Sequence, residues 1–269
     1  MNEHSFPSVT VVIGAAARRE ILSHRLNRFL YAHFLLVLLA GLLPLLTPDD
    51  ALVRGAAWWL LHAVLYTVSL SALLLGLVSA HAEKEEFTWL LGQPSGMGPW
   101  LMGKIAALTG LVTAASALLA LPSIFAGGAS RDLLIASVGA AGVSAVGAAA
   151  GLALGFWIRD PVRGLVAAVA IWFGVLFGTD LLLLASAGVP AVRDHPDLWV
   201  AALMTNPLDA YRITVLFTVE RAAFSGIEAG RLAGWWVAHA IPWFASLCVF
   251  WFFTAAGVAW LGCRRRLDN

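Results

Sequence analysis

Charged side chains are the scarcest feature of this chain. Asp, Glu, Lys and Arg make up 12% of it, against roughly a quarter in soluble domains. That balance excludes an ordinary water-soluble domain. The formal net charge of +1 gives no sign of a nucleic-acid partner. Cysteine is nearly absent: Cys248 and Cys263 lie in or beside apolar runs, so there is neither a disulfide framework nor a C-x-x-C metal motif. The four methionines, Met1, Met97, Met102 and Met204, are scattered, which argues against a soft-metal path of thiolates and thioethers. Catalytic motifs are missing too. Gly103-Lys104 lacks both the earlier glycine and the following hydroxyl of a phosphate loop. There is no H-E-x-x-H and no nucleophile elbow. A non-catalytic chain holding no cofactor and no metal is expected. Arg18, Arg19 and Glu20 interrupt the early apolar stretch, and a full-length apolar run follows, so no cleaved leader is expected.

Carbon is abundant. Of 269 residues 60% are hydrophobic, and the mean hydropathy is +0.83. Several runs exceed the ~18 residues that cross a hydrocarbon core. The fold class expected is an all-α integral membrane protein, with one transmembrane domain over 1–269. Six spans are predicted, at 29–46, 55–80, 100–126, 132–158, 164–189 and 235–263. Turn signals separate them: Thr47-Pro48-Asp49-Asp50, Gly127-Gly128 and Arg159-Asp160-Pro161-Val162-Arg163. Trp58 and Trp59 open the second span and suit a headgroup boundary.

Ahead of the first span, residues 8–28 read as an amphipathic helix. Val11, Ala15, Leu22, Leu26 and Phe29 fall on one side, with Arg18, Arg19, Arg25 and Arg28 beside them. Such a helix can lie in the membrane interface, cations near anionic headgroups, or pack on protein. Cations also orient the chain. With the N-terminus inside, the inner segments hold Arg18, Arg19, Arg25, Arg28, Lys84, Lys104, Arg159, Arg163 and Arg264 to Arg266. The short outer loops hold Arg54 and Arg131. Both termini are therefore expected in the cytoplasm.

The polar segment 82–99 then faces the cytoplasm between spans two and three, with Glu83, Lys84, Glu85 and Glu86 in a row. Its framing by two spans makes it a handle rather than a pathway. In span four, Gly147, Gly151 and Gly155 recur every four residues and form one groove. That groove can be a sliding seam or static packing. Asp180, in the outer half of span five, should face the bundle interior or a wet vestibule or else be protonated, or should simply bond Thr179 or a neighbouring helix. His33, His62 and His239 lie in or at the edge of spans, none paired at helical spacing. The outer stretch 190–234 contains a helix start: Asn206 can cap, Pro207 fits the first position and Asp209 the third. The helix behind it is apolar on one side, as an interfacial or re-entrant helix would be.

Two of these stretches resemble a known family, the ABC-2 type permeases, membrane subunits of one class of ATP-driven transporters. That family carries an acidic cluster after span two, then Leu-Leu-x-x-Pro, then Gly-Lys opening span three. Here these are Glu83, Glu85 and Glu86, then Leu90-Leu91-Gly92-Gln93-Pro94, then Gly103-Lys104. Phe87-Thr88 stands where the family has Gly-Thr. Asn206, Pro207, Asp209, Tyr211 and Arg212 resemble the segment before the last span in NosY-type permeases, which serve maturation of nitrous oxide reductase, a copper–sulfur enzyme.

The resemblance implies a homodimer facing two copies of a separate ATPase, which holds the ATP and magnesium. Glu83, Glu85, Glu86, Thr88, Leu90, Leu91 and Pro94 would form the coupling helix that the ATPase grips. The acidic residues would meet groups on the ATPase or on the chain's own arginine-rich first helix. Asn206, Pro207, Asp209, Tyr211 and Arg212 would gate the exit or meet an extracytoplasmic partner, a periplasmic β-helical (NosD-like) protein in the NosY-type case. The setting implied is the bacterial inner membrane, and the cargo a sulfur species or an aid to copper loading. A permease for drug, lipid or polysaccharide would share the handle. A secondary transporter or a scaffold without an ATPase is the remaining alternative; such transporters often show inverted repeats and broken spans, whereas these spans look unbroken and unrepeated.

Overall fold

The computed structural model describes residues 8–46, 59–83, 97–125, 131–186, 188–190, 196–219 and 231–267. Their regular structure is helical, with no strand among them. Helix α1 is Val9–Ser23 and α2 is Arg28–Leu42. Asn27 caps α2: its Oδ1 accepts the Phe29 N–H at 2.9 Å. A 3-10 turn, Leu43–Leu46, extends α2. Helix α3 is Trp59–Ala82, with a π-helical stretch at Val64–Val68. Helix α4 is Met97–Ala117, and a turn leads to the short α5, Leu121–Phe125. Helix α6 is Arg131–Trp157 and α7 is Pro161–Ser186. Asp160 starts α7 by accepting the Arg163 N–H on Oδ1 at 2.8 Å, with Pro161 at the first helical position. Then come α8, Pro196–Thr205, α9, Pro207–Val219, α10, Arg231–Ala238, and α11, Ala240–Leu267.

Among the described residues, five helices are long and apolar enough to cross a membrane: Trp59–Ala82, Met97–Phe125, Leu133–Trp157, Pro161–Ser186 and Ala240–Arg265. The pair α1 and α2, bent by 79°, is the candidate sixth. Expected spans two, four and five therefore each appear as one helix. Two expectations need correcting. Span three is broken at 118–120, because Pro122 offers no N–H to the Leu118 carbonyl and its ring crowds that oxygen. Span six begins at Ala240, after a break at His239, rather than at Trp235. Pro242 denies the Ala238 carbonyl its partner in the same way.

Helices α3 and α6 form the centre and run parallel, backbone against backbone. A methyl group on Gly151 would collide with the Leu73 carbonyl oxygen, and one on Gly76 with that of Ala148. On Gly155 it would lie 2.5 Å from the Ala80 Cβ. Gly147 is looser, at 3.3 Å from the Ser69 oxygen. The groove of Gly147, Gly151 and Gly155 is thus filled by the chain's own α3. Lipid gives no hydrophobic drive for helix association, so this close approach of backbones supplies the dispersion contact instead. At the periphery, 11% of the apolar window of α7 and 17% of that of α11 is buried, against 61% for α3. Those outer faces are carbon surfaces suited to acyl chains.

Gly151→Ala should wedge α3 from α6 and lower stability by about 1–3 kcal/mol. Gly174→Ala, which meets nothing within 4 Å, should leave the melting temperature in detergent unchanged. Equal melting of the two variants would contradict the seam.

Candidate functional site

Helix α1 packs on α4 through Ile13, Ala16 and Ala17. A methyl group on Gly103 would sit 2.5 Å from the Ile13 carbonyl oxygen and 2.7 Å from the Ala16 Cβ. The opposite side of α1, with Val11, Ala15 and Leu22, is exposed. Gly103 therefore lets α1 lie close enough for its neighbour Lys104 to reach Glu20. The Lys104 Nζ donates to both Glu20 oxygens, at 2.7 and 2.8 Å, and to Glu83 Oε1 at 3.1 Å. Lys104 is 2% exposed, Glu20 4% and Glu83 7%. Glu83 terminates α3, and the Arg19 guanidinium donates to its other oxygen at 3.4 Å.

The shell around Glu20 is complete. Ser79 Oγ, on α3, donates to its Oε1 at 2.6 Å. His24 Nε2 lies 2.9 Å from the same oxygen, and His24 Nδ1 faces Asn27 Nδ2 at 2.9 Å. Asn27 Oδ1 is already occupied by the Phe29 N–H, so its amide nitrogen is the donor to Nδ1. His24 Nε2 is then the nitrogen that faces Glu20, with Nδ1 facing the Asn27 amide. Two cations, Lys104 and Arg19, balance two carboxylates. Hydrogen bonds from Ser79 and Lys104, with His24 beside them, offset the cost of burying the Glu20 carboxylate.

A second network lies at the other end of α6. Asn206 caps α9, its Oδ1 accepting the Leu208 N–H at 3.0 Å. Its Nδ2 donates to the Val175 carbonyl at 2.6 Å, Thr179 Oγ1 at 3.0 Å and Asp209 Oδ2 at 2.8 Å. Arg212 makes a two-pronged bond to Asp180, at 2.9 and 3.0 Å, and reaches Asp209 Oδ1 at 2.8 Å. Burial raises the Asp209 pKa, against the Arg212 charge. Tyr211 faces the opposite way: its ring lies over Gly139, and its hydroxyl donates to the Ala136 carbonyl at 3.0 Å. Arg212 and Asn206 so fasten α9 to α7, and Tyr211 fastens it to α6.

Of the expected site residues, Asp180, Asn206, Asp209 and Arg212 therefore meet in one network that the sequence showed as two separate features. Asp180 takes the neighbouring-helix alternative. Glu83 points inward, to Lys104 and Arg19. Glu85, Glu86, Thr88, Leu90, Leu91 and Pro94 lie outside the described residues. Glu20, Ser79 and His24 were missed as site residues, and Lys104 was weighed as a motif and as one cation of an inner loop. The available signal was a lysine inside an apolar run, with a glutamate among arginines as its natural counter-charge. The intramembrane histidines find local partners: His33 Nδ1 lies 2.7 Å from Ser71 Oγ, and His239 Nδ1 2.9 Å from the Trp235 carbonyl. The His62 ring lies against that of Tyr66, centroids 5.8 Å apart and tilted by 32°.

No protein-family model matches the chain, and no curated protein matches it in sequence.

Arg212→Ala would leave the Asp209 carboxylate, 2% exposed, buried without its cation, a loss of about 3–5 kcal/mol. Asp180→Asn removes a carboxylate whose side chain is 42% exposed and should cost about 1 kcal/mol or less. Unfolding of the two variants by detergent titration checks that order.

Proposed function

We propose that this chain is the permease subunit of an ABC-2 type transporter, most like the NosY type. It sits in a bacterial inner membrane with both termini in the cytoplasm, as a homodimer served by two copies of a separate ATPase. Six spans, an interfacial α1, a coupling helix within 82–99 and extracytoplasmic or re-entrant helices within 190–234 make up the permease. It catalyses nothing itself; ATP and magnesium belong to the ATPase. The work done serves copper–sulfur site assembly in nitrous oxide reductase, with a periplasmic β-helical partner.

One observation carries this reading beyond the motifs. The residue where α3 ends, Glu83, and the cation seven residues into α4, Lys104, are bonded to each other and to Glu20 of α1. Described residues before and after the polar segment are thus held at one junction. A partner that moves residues 84–96 moves α1, α3 and α4 together, instead of bending a loose loop. At the far end of α6, the Asn206–Asp209–Arg212–Asp180 network ties α9 to α7, so tilting of α7 is passed to the outer helices. Two packings of the same helices, exchanged by the nucleotide state of the ATPase, meet the requirement for a switch.

A permease for an apolar or amphipathic cargo is the second reading. A cavity of about 180 Å³ opens between α3, α6, α7, α9 and α11, walled by Leu73, Val146, Ile171 and Trp251. The hydroxyl that reaches it, Ser69, already accepts from Trp172 Nε1 at 2.9 Å. Such a wall accommodates carbon better than a sulfur anion.

Affinity capture of the tagged chain from its own membranes, with partners identified by mass, tests the proposal. An ATPase should co-purify, and Glu85→Lys/Glu86→Lys should uncouple its hydrolysis from the permease. A periplasmic β-helical protein in the same eluate favours the first cargo. Unchanged capture together with unchanged stimulated hydrolysis in the double variant contradicts the coupling role.

A further inference from the structure

A second cavity, about 380 Å³, is a groove open along one side between α6, α9 and α11. Leu134, Val138 and Gly142 of α6 line one wall, Phe244 and Cys248 of α11 the other, and Tyr211 the floor. Leu134 is 50% and Val138 72% exposed, so the groove faces outward from the bundle. Its polar atoms are spent: the Tyr211 hydroxyl donates to the Ala136 carbonyl, and Thr214 Oγ1 bonds the Ala210 carbonyl at 2.7 Å and lies 3.3 Å from that of Ala240. What remains is carbon, with one charged group, Arg131, at one end.

The depth of the groove decides its occupant. The candidate span of α6 opens at Leu133, which puts the exposed Arg131 guanidinium at the level of the headgroups. Gly142, at the other end, is eleven residues on, about 16 Å along a helix. That is about half of a ~30 Å hydrocarbon core, the reach of one acyl chain in one leaflet. We infer that the groove is a phospholipid site, with an acyl chain along Leu134, Val138 and Cys248 and an anionic headgroup paired with Arg131. The inference stands apart from the transporter reading, since it uses none of the residues that reading invokes for coupling.

Native mass spectrometry of the full chain, loaded with phosphatidylglycerol or with phosphatidylcholine, tests it. Phosphatidylglycerol should be retained in preference. Arg131→Ala should lower its occupancy about fivefold, the worth of one cation at a membrane surface, and Arg131→Lys should keep it. Ala245→Trp, which fills the groove, should remove both lipids. Equal retention of the two lipids, or wild-type occupancy in Arg131→Ala, overturns the site. Loss of dimer instead of lipid in Ala245→Trp overturns it in favour of a second copy of the chain. Should Ala245→Trp fail to fold, the exposed Arg131 variants decide alone.

Discussion

An ammonium group two helical turns inside an apolar helix cannot stand unpaired, and much of this structure follows from how Lys104 is satisfied. Removing such a charge from water costs several kcal/mol even after relaxation, so carboxylates must come to it. Glu83 comes from the end of α3 and Glu20 from α1. Helix α1 has to lie along α4 for this to happen, and Gly103 is the residue that leaves room. Ser79, His24 and Arg19 then fill the remaining hydrogen-bonding positions of the two carboxylates. Each group is needed because the others are buried. The junction therefore joins three helices beside the residue where α3 ends.

The middle and the far end of the bundle obey the same constraint with different materials. Between α3 and α6 there are almost no polar side chains to pair, and glycine is used to bring carbonyls and Cα atoms into contact. At the far end Arg212 plays the part of Lys104, shared by Asp180 and Asp209. Polar clusters thus sit at opposite ends of α6, with glycine packing between them. Ions at the ends and backbone contact in the middle hold the bundle together, while α7 and α11 leave most of their apolar surface unburied.

Much of the fold was legible because membrane spans declare themselves by length and carbon content. The helix start at Asn206-Pro207 was legible as well, since capping is local chemistry, whereas Asp160-Pro161, read as part of a turn before a span at 164, in fact caps α7. Legibility stopped where a feature depends on distant residues. Gly147, Gly151 and Gly155 show a groove in the sequence, but only the fold shows α3 filling it. Lys104 shows an awkward charge; its answer lies 84 positions away in Glu20. Asp180 and Arg212 are 32 positions apart, with no periodicity to link them. The breaks at Pro122 and His239 were readable from proline chemistry and were overlooked because hydropathy runs smoothly through both.

A double-mutant cycle on Glu20 and Lys104 measures the junction itself. Glu20→Gln, Lys104→Met and the double variant would be unfolded by detergent titration in mixed micelles. Each single change should destabilise by about 3–5 kcal/mol, and the pair by far less than the sum, because the second change removes the charge stranded by the first. Additivity within about 0.5 kcal/mol would mean that the two residues do not depend on each other, and the account of how α1, α3 and α4 are joined would be wrong.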